Sequence, residues 1–276
     1  AKKDGTFVAL DAKACMNTGA YATFGPDLVA VLGACGIAGI YGIPNIRYDG
    51  HAIYTNQQTA GAFRGYGTPQ GTIATEMCVD SIAKQLGMDA LELRLKNTTR
   101  VGADWWFPYP VKSTYLNECL EQCAESIGWK EKRGKKQTGT IRRGVGIACG
   151  THVSNAAPFC VDYDAAYMRI ESDGTLHVAS SIPEIGPGVT TGLLQIAAET
   201  VGVPLETSRL AYGDTDVGPF DIGSHASRTL YAVGHLFVKI GKELKKQILE
   251  WAAKFLYVDV ETLDLVDGEI IGSCEK

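Results

Sequence analysis

The stretch Gly61-Ala-Phe-Arg-Gly-Tyr-Gly-Thr-Pro-Gln70 is a glycine-rich loop that leads into a helical pattern. Glycine permits positive φ and lets the backbone approach a ligand closely. Arg64 offers a planar fork of donors suited to a phosphate or a carboxylate. We therefore predict a ligand-binding loop, with Arg64 as its fixed cation and Phe63 and Tyr66 as aromatic walls. A glycine-rich turn with a surface arginine would give the same pattern.

Regular elements are predicted on both sides of this loop. Upstream, the pattern of apolar residues predicts a strand over residues 6–14, a buried helix over 27–40 and a strand over 47–55. Downstream, Pro69 opens a helix over 70–86, which Gly87 ends. The remaining predictions for this half are a short helix over 89–96 capped by Asp89, an aromatic loop over 101–110 with Trp105, Trp106, Phe107 and Tyr109, and a helix over 114–127.

A run rich in lysine and arginine, residues 130–143, divides the chain. We interpret it as a solvated linker between a first domain, 1–129, and a second domain, 144–276. For the second domain the pattern predicts strands over 144–150, 161–172, 175–180, 208–213 and 263–271, and helices over 189–201 and 226–253. Asp173-Gly174 is a strong hairpin signal between two of these strands. The predicted class is therefore α+β, in two mixed α/β units.

Two further loops of the second domain precede predicted helices. Residues 183–188 contain Gly186 and open the helix at Val189, where free backbone N–H groups and the positive helix end favour an anion. Gly213-Asp-Thr-Asp216 and residues 223–229 form the other loop, in which hydroxyl groups and Arg228 surround a helix start. Ordinary capping of helix ends would account for each loop separately. Together with residues 61–70, they suggest an elongated ligand rich in phosphate, such as a dinucleotide-like cofactor.

Composition excludes several function classes. The formal charge of −5 gives no indication of a nucleic-acid partner. The longest apolar stretch, residues 29–41, is too short and too rich in glycine to span a membrane, and the N-terminus has no apolar run typical of a signal peptide. The eight cysteines contain no C-x-x-C pair, so a zinc or iron–sulfur site is not expected, and their scatter is typical of a reducing cytoplasm. We therefore expect a cytoplasmic protein without a metal ligand of its own.

The loop motifs resemble those of the molybdenum-binding subunit of the xanthine dehydrogenase/aldehyde oxidase family of molybdenum hydroxylases. Residues 61–70 are similar to the family's Ala-Phe-Arg-Gly-(aromatic)-Gly-x-Pro-Gln signature. Further family-like motifs follow the family's order, namely Asn17-Thr-Gly-Ala-Tyr21, Tyr41-Gly-Ile-Pro-Asn-Ile46, Glu184-Ile-Gly-Pro-Gly188, Gly213-Asp-Thr-Asp216 and Ala226-Ser-Arg228. The resemblance covers essentially the whole chain.

The resemblance implies two α+β units with a molybdopterin cofactor buried between them, often in its cytosine dinucleotide form. It implies that Arg64 lies at the pterin or its phosphate, and that Phe63 and Tyr66 line the substrate channel. It implies that Gly186 and the segment Ala226, Ser227, Arg228 and Thr229 lie against the pterin and its phosphates. Molybdenum is held by the pterin, so no side chain of this chain is implied as a metal ligand.

The implied reaction is hydroxylation of an aromatic heterocycle or an aldehyde with oxygen from water. Electrons then leave through iron–sulfur (Fe-S) clusters of the 2Fe-2S type, usually to FAD, on partner domains or subunits. The family's base is a glutamate in a Gly-x-Gly-Glu motif, which this sequence lacks, as it lacks the upstream Gly-Gly-Phe-Gly-Gly loop. We therefore expect a part of the molybdenum subunit that is inactive without the missing portions.

Two substitutions relative to the family pattern bear on the ligand. Pro187 replaces the usual glutamine of Met-Gly-Gln-Gly, which removes a side-chain donor to the cofactor, and Leu32 replaces the channel arginine of purine-oxidising members. The second change argues against xanthine as the substrate. Two alternatives stay open at this point: a non-catalytic dinucleotide- or cofactor-binding module, and a degenerate structural subunit.

Overall fold

The computed structural model describes residues 1–103, 110–135, 138–154 and 163–272. Helices and short strands are mixed along these residues, which confirms the predicted α+β class. They form two compact units, Ala1–His152 and Val153–Lys276. Each unit has a hydrophobic core of its own.

The first unit is built around a pair of parallel strands. In chain order it contains β1 (Leu10–Gly19), α1 (Gly25–Val31), a π-helical segment (Leu32–Ile37), β2 (Ile46–Tyr54), α2 (Thr68–Leu86), α3 (Ala90–Asn97), α4 (Leu116–Ile127) and α5 (Trp129–Lys132). β1 and β2 pair from Leu10 opposite Ile46 to Gly19 opposite Tyr54. Parallel strands need a crossover, which α1 and the π-helical segment provide. The strand predicted over 6–14 thus begins later than expected, and the helix predicted over 27–40 forms as two helical segments.

Helix α2 lies directly against the π-helical segment. A Cβ on Gly36 would stand 2.7 Å from the Gly71 Cα, so both glycines are needed for this approach. The helix ends as predicted at Gly87, which adopts the left-handed conformation. Asp89 caps α3 as predicted, because its carboxylate accepts hydrogen bonds from the backbone N–H groups of Leu91 and Glu92.

A buried ionic network connects α2 and α3 in the core of the first unit. Arg94 is fully buried, and its Nε and Nη2 atoms each lie 2.9 Å from the Glu76 Oε2 atom. Its Nη1 atom donates to Asp80 at 2.9 Å. Glu76 also accepts hydrogen bonds from the Tyr41 hydroxyl and from the Cys149 backbone N–H. Burial raises the pKa of the Cys149 thiol to about 11, with a further contribution from Glu76, so the thiol is neutral.

The strand predicted over residues 144–150 is wrong. These residues form an irregular segment of the first unit, where Cys149 is hydrogen-bonded to Glu76 and Val145 and Ile147 pack against the core. The compact units consequently divide after His152, later in the chain than the predicted linker 130–143, whose first three residues belong to α5. The domain bounds 1–129 and 144–276 stay a prediction.

The described residues of the second unit form one crossover between parallel strands and two hairpins. In chain order it has β3 (Tyr167–Ile170), β4 (Leu176–Ser180), α6 (Val189–Val201), a 3-10 turn (Leu205–Thr207), β5 (Ser208–Tyr212), a π-helical segment (Thr229–Val233), α7 (Gly234–Leu256), a 3-10 turn (Val260–Thr262), β6 (Leu263–Val266) and β7 (Glu269–Gly272). β4 pairs antiparallel with β3 and parallel with β5. The hairpin predicted at Asp173-Gly174 is confirmed, and α6 has the predicted bounds.

The single strand predicted over residues 263–271 is wrong, because β6 and β7 form an antiparallel hairpin there. Asp267 and Gly268 both have positive φ and reverse the chain. Other sequence predictions fall outside the described residues. These are the aromatic side chains Trp105, Trp106, Phe107 and Tyr109, and the thiols of Cys160 and Cys274.

Candidate functional site

The Arg64 loop lies at the carboxyl end of the parallel strands of the first unit. After β2 the chain passes the end of β1, where the Ala20 N–H donates to the Gln57 carbonyl at 3.1 Å and the Ala60 N–H donates to the Thr18 carbonyl at 3.0 Å. It then forms the loop and enters α2. The carboxyl ends of parallel strands are where ligand-binding loops collect in open α/β sheets.

The backbone of this loop is fixed in an unusual conformation. Gly65, Tyr66 and Gly67 have φ values of 91°, 48° and 86°. Two turns hold them, since the Tyr66 N–H donates to the Phe63 carbonyl at 2.8 Å and the Thr68 N–H donates to the Gly65 carbonyl at 3.0 Å. A left-handed tyrosine costs roughly 1–2 kcal/mol. Strain of this kind is retained mostly where a loop must present a ligand-binding shape.

The side chains of the loop differ in their freedom. Arg64 is exposed and makes no hydrogen bond or ion pair with any residue that the structure describes. Phe63 is 84% exposed. Tyr66 is half-buried, with its ring edge-to-face against Phe24 at a centroid distance of 6.0 Å. Burial, with a smaller contribution from Asp27, raises the pKa of the Tyr66 phenol. The loop therefore presents one free cation, one free aromatic ring and one anchored aromatic ring.

His152 is a neighbour of this loop that the sequence does not single out. Its Nδ1 atom lies 3.1 Å from the Thr68 hydroxyl at the start of α2, and burial lowers the pKa of its imidazole. This contact supports the first turn of α2. Its distance from Thr68 in the sequence left no local signal by which it could be found.

An apolar groove of 680 Å³ also lies in the first unit, between α1 and β2. Small and aromatic residues line it, including Val29, Ala34, Tyr48 and Ala52. The Tyr48 hydroxyl is occupied by a hydrogen bond of 2.7 Å to the Val29 carbonyl. The groove lining includes no charged side chain, so it does not suit a phosphate, and no predicted site residue lines it.

In the second unit, an internal carboxylate occupies the helix start at which an anion was predicted. Glu184 accepts hydrogen bonds from the backbone N–H groups of Gly186 at 2.7 Å, Gly188 at 3.2 Å and Thr190 at 3.2 Å. Desolvation raises the pKa of Glu184, but these hydrogen bonds outweigh it and hold the pKa below its ordinary value. The prediction that these N–H groups are free to bind a phosphate is therefore wrong.

Gly186 itself is exposed and has a φ of 109°, and a Cβ there would meet no atom within 4 Å. Its backbone can still be approached closely by a flat ligand. The assignment of Gly186 as a cofactor contact stays a prediction. Its N–H group is bound to Glu184, so the contact would be made by the open face of its backbone.

The loop before the second π-helical segment has two consecutive residues with left-handed backbone, and neither of them is glycine. Ala226 and Ser227 have φ values of 46° and 53°, and Arg228 returns to right-handed geometry. Where a left-handed and a right-handed residue follow each other, as Ser227 and Arg228 do here, successive N–H groups form a concave anion-binding surface. The Ser224 and Thr229 hydroxyls lie 2.6 Å apart and close the loop around this turn.

The Arg228 side chain is fully buried and forms an ion pair with Asp164. Its Nη1 atom also donates to the Gly223 carbonyl at 3.4 Å. The expectation that Arg228 brings a charge to the ligand is therefore corrected, because Asp164 neutralises this charge inside the unit. Arg228 remains a candidate through its backbone, at the end of the strained turn.

The two loops of the second unit lie at one edge of its sheet. They follow β4 and β5, which are parallel, so their carboxyl ends meet. A Cβ on Gly218 would stand 2.4 Å from the Ser181 hydroxyl, and one on Gly192 would stand 3.1 Å from the Leu230 side chain. These close approaches bring the start of α6 next to the segment that carries the strained turn.

Replacing Ala226 by glycine is expected to raise the free energy of unfolding of the second unit by about 1 kcal/mol, because glycine removes the left-handed strain. Urea unfolding of the chain measures this. Ala232→Gly, inside the π-helical segment, is the control and should lower it, since glycine is unfavourable in helices. A loss of stability in Ala226→Gly would contradict the strained turn.

Comparison with the sequence profiles of protein families identifies the family of the chain. The profile of a Molybdopterin cofactor-binding domain matches residues 1–98, and a second profile of the same description matches residues 122–276, more than half of the chain. The chain belongs to the molybdopterin cofactor-binding domain family. The resemblance found in the loop motifs is thereby confirmed, and all predicted site residues lie within the two matched segments.

Relatives and solved structures agree with this assignment. The chain is 38% identical over 273 residues to the xanthine dehydrogenase molybdenum-binding subunit of Escherichia coli O157:H7, covering 98% of the chain and 36% of that protein. It superposes on aldehyde oxidoreductase from Desulfovibrio gigas with a TM-score of 0.79 and 28% identity, over 98% of this chain and 32% of that one. Quinoline 2-oxidoreductase from Pseudomonas putida, at 20% identity, shares the fold with a TM-score of 0.81, over 99% and 36%. The chain spans about a third of the length of these relatives.

Among the described residues of this molybdopterin cofactor-binding chain, no group of His, Cys, Asp and Glu side chains could hold a metal ion. The described residues also include no helix that is long and apolar enough to cross a membrane. The exposed Arg64 guanidinium, which contacts no described residue, and the strained backbone turns fit a phosphate-bearing pterin.

Proposed function

We propose that this chain is the cofactor-binding part of a molybdenum hydroxylase that hydroxylates an aromatic heterocycle or an aldehyde with oxygen from water. The bound cofactor would supply the redox chemistry at its molybdenum. The observation that carries the proposal is the exposed Arg64 guanidinium, which contacts no described residue, on a loop whose backbone is fixed at Gly65, Tyr66 and Gly67. The fixed backbone lowers the entropic cost of binding, since only the Arg64 side chain remains to be ordered by the ligand.

Each candidate residue has a distinct part in the proposal. Arg64 binds the pterin or its phosphate through charge-assisted hydrogen bonds. Phe63 and Tyr66 flank the substrate channel, where the anchored ring of Tyr66 orients the substrate. Gly186 offers its backbone face to the pterin. The segment with Ala226, Ser227, Arg228 and Thr229 receives a phosphate through its backbone turn and hydroxyl groups.

The other components are proposed from the family resemblance of the loop motifs. The cofactor is molybdopterin with molybdenum, in the cytosine dinucleotide form. The remaining portions of the molybdenum subunit supply the catalytic base, and Fe-S and FAD domains or subunits receive the electrons. This chain alone would be inactive, since its sequence lacks the Gly-x-Gly-Glu motif in which the family carries its base. No nucleic acid or membrane partner is proposed.

Replacing Arg64 by alanine in the complete molybdenum subunit is expected to weaken cofactor binding by about 2–3 kcal/mol, the value of hydrogen bonds to a charged group. Molybdenum content and released nucleotide per subunit measure the loss. The stability of the chain should change by less than about 0.5 kcal/mol, because Arg64 contacts no described residue.

Two control variants sharpen this test. Arg64→Lys keeps the charge but loses the fork, so it should retain part of the cofactor. Arg47→Ala removes an exposed arginine that pairs with the exposed Asp49 and should retain all of the cofactor. Full molybdenum and nucleotide in Arg64→Ala would overturn the assignment of Arg64. A wild-type subunit without either would instead support a degenerate structural subunit, and nucleotide without molybdenum would support a non-catalytic binding module.

A further inference from the structure

Two cysteines lie four residues apart on the solvent side of α4. Cys119 and Cys123 are both exposed, and both are free thiols. Residues i and i+4 of a helix are neighbours on its surface, with Cβ atoms about 5–6 Å apart. The two thiols therefore share one face of the helix. Neither forms a hydrogen bond or a disulfide with any residue that the structure describes.

The spacing of the thiols is fixed because the core of the first unit holds α4. The helix runs from Leu116 to Ile127 and ends at Gly128, which has a φ of 66°. Leu120 and Ala124, each one residue beyond a cysteine, are 5% and 4% exposed and pack in the core. One side of the helix is therefore anchored, and the next side presents the two thiols to solvent.

A regular helix disfavours a disulfide between these two cysteines. A disulfide needs Cβ atoms about 3.5–4.5 Å apart, which is closer than the spacing of residues i and i+4 allows without distortion of the helix. A single thiophilic atom between the sulfurs adds a second bond to the bridge and spans the larger gap. Among the described residues, neither thiol belongs to a group of three or more His, Cys, Asp and Glu side chains. An ion that requires three or four protein ligands therefore does not fit.

We propose that Cys119 and Cys123 form a dithiol site that binds trivalent arsenic compounds of the form R–As(OH)₂. Each thiol displaces one hydroxyl group as water, so two S–H and two As–O bonds break while two As–S and two O–H bonds form. No oxidant or reductant takes part, and the substituent R stays on arsenic and faces solvent. The product is a bridge across one turn of α4. The site lies outside the loops proposed for the cofactor, so it binds whether or not a cofactor is present.

Phenylarsine oxide, which hydrates to a compound of this form, tests the site on the chain. We expect one tightly bound equivalent, and mass spectrometry should show a phenylarsenic group that has lost both hydroxyl groups. Displacement by a small competing dithiol measures the affinity. Cys119→Ser and Cys123→Ser should each weaken binding about 100-fold, because the second As–S bond forms within the chain only when both thiols are present. The adducts of these two variants should keep one hydroxyl group on arsenic.

Two controls separate this pair from the other thiols of the chain. The double variant Glu121→Cys/Cys123→Ser keeps two exposed positions on α4 as thiols but places them two residues apart, where side chains do not face each other. It should bind as weakly as the single serine variants. Cys78→Ser removes an exposed thiol of α2 and should bind like the wild type. Tight binding in Cys119→Ser/Cys123→Ser or in Glu121→Cys/Cys123→Ser would overturn the proposal.

Binding to the unfolded chain tests whether the helix supplies the geometry. In denaturing urea the wild-type chain should bind phenylarsine oxide about tenfold more weakly, because the unfolded segment no longer holds both thiols on one face. By linkage, saturating phenylarsine oxide should raise the melting temperature of the wild-type chain by about 2–4 °C and leave that of Glu121→Cys/Cys123→Ser unchanged. Equal affinity in the folded and the unfolded chain would show that α4 does not form the site.

Discussion

Replacing Arg94 by methionine is expected to lower the free energy of unfolding of the first unit by about 3–5 kcal/mol. The substitution keeps most of the side-chain volume but leaves the Glu76 carboxylate buried without its cation. The Glu76 side chain is only 8% exposed, and from the described residues it would keep the hydrogen bonds of Tyr41 and Cys149 alone. An uncompensated buried charge is among the largest single-residue losses in a folded protein.

Chemical denaturation of the chain measures this loss, and Arg47→Met is the control. Arg47 forms an ion pair with Asp49 in which both side chains are exposed, so its removal should cost less than about 1 kcal/mol. The double variant Glu76→Gln/Arg94→Met removes both buried charges and should regain part of the loss. Equal stability of Arg94→Met and Arg47→Met would show that the buried network contributes nothing.

The network matters for the candidate site because Glu76 lies on α2, the helix that begins directly after the Arg64 loop. Arg94 fixes α2 to α3, and Cys149 fixes it to the segment that ends at His152. His152 in turn contacts Thr68 in the first turn of α2. Loosening the network should therefore also loosen the helix start that supports the loop.

Elements with local signals could be predicted from the sequence. Gly87 ends α2 and Asp89 caps α3 because a left-handed glycine and a capping carboxylate act within a few residues. The turn at Asp173-Gly174 was found for the same reason. Asp267-Gly268 carries the same signal, but its flanking strands have only four residues each, so the pattern looked like one continuous strand.

The sequence marks the loops of the candidate site, but it does not reveal the contacts that the side chains make inside them. Glycines and proline mark the loops, and Arg64 is the cation that the sequence predicts for the first of them. The partner of Arg228 is Asp164, 64 residues earlier, and no local pattern connects them. Glu184 was visible next to Gly186, yet its capture of the helix N–H groups depends on the fold of the loop. Long-range charge pairing decides which arginine is available to a ligand.

Replacing Gly67 by alanine is expected to cost about 3 kcal/mol of stability and to remove most of the cofactor from the complete subunit. The residue has a φ of 86°, and a Cβ there would stand 2.4 Å from the Leu28 carbonyl oxygen. Left-handed strain contributes roughly 1–2 kcal/mol, and the remainder comes from a clash with rigid α1 backbone. The loop must shift to relieve it, which moves Arg64 away from its ligand.

Gly61→Ala is the matched control at the other end of the same loop. A Cβ on Gly61 meets no atom within 4 Å, and its φ is not positive, so the change should be neutral or stabilising by about 0.5 kcal/mol. Denaturant unfolding gives both stabilities, and molybdenum analysis of the complete subunit gives both occupancies. If Gly67→Ala retains its cofactor as well as Gly61→Ala does, the fixed shape of the loop is not what presents Arg64. Binding would then depend on the charge of Arg64 alone, and Arg64→Lys should be as effective as the wild type.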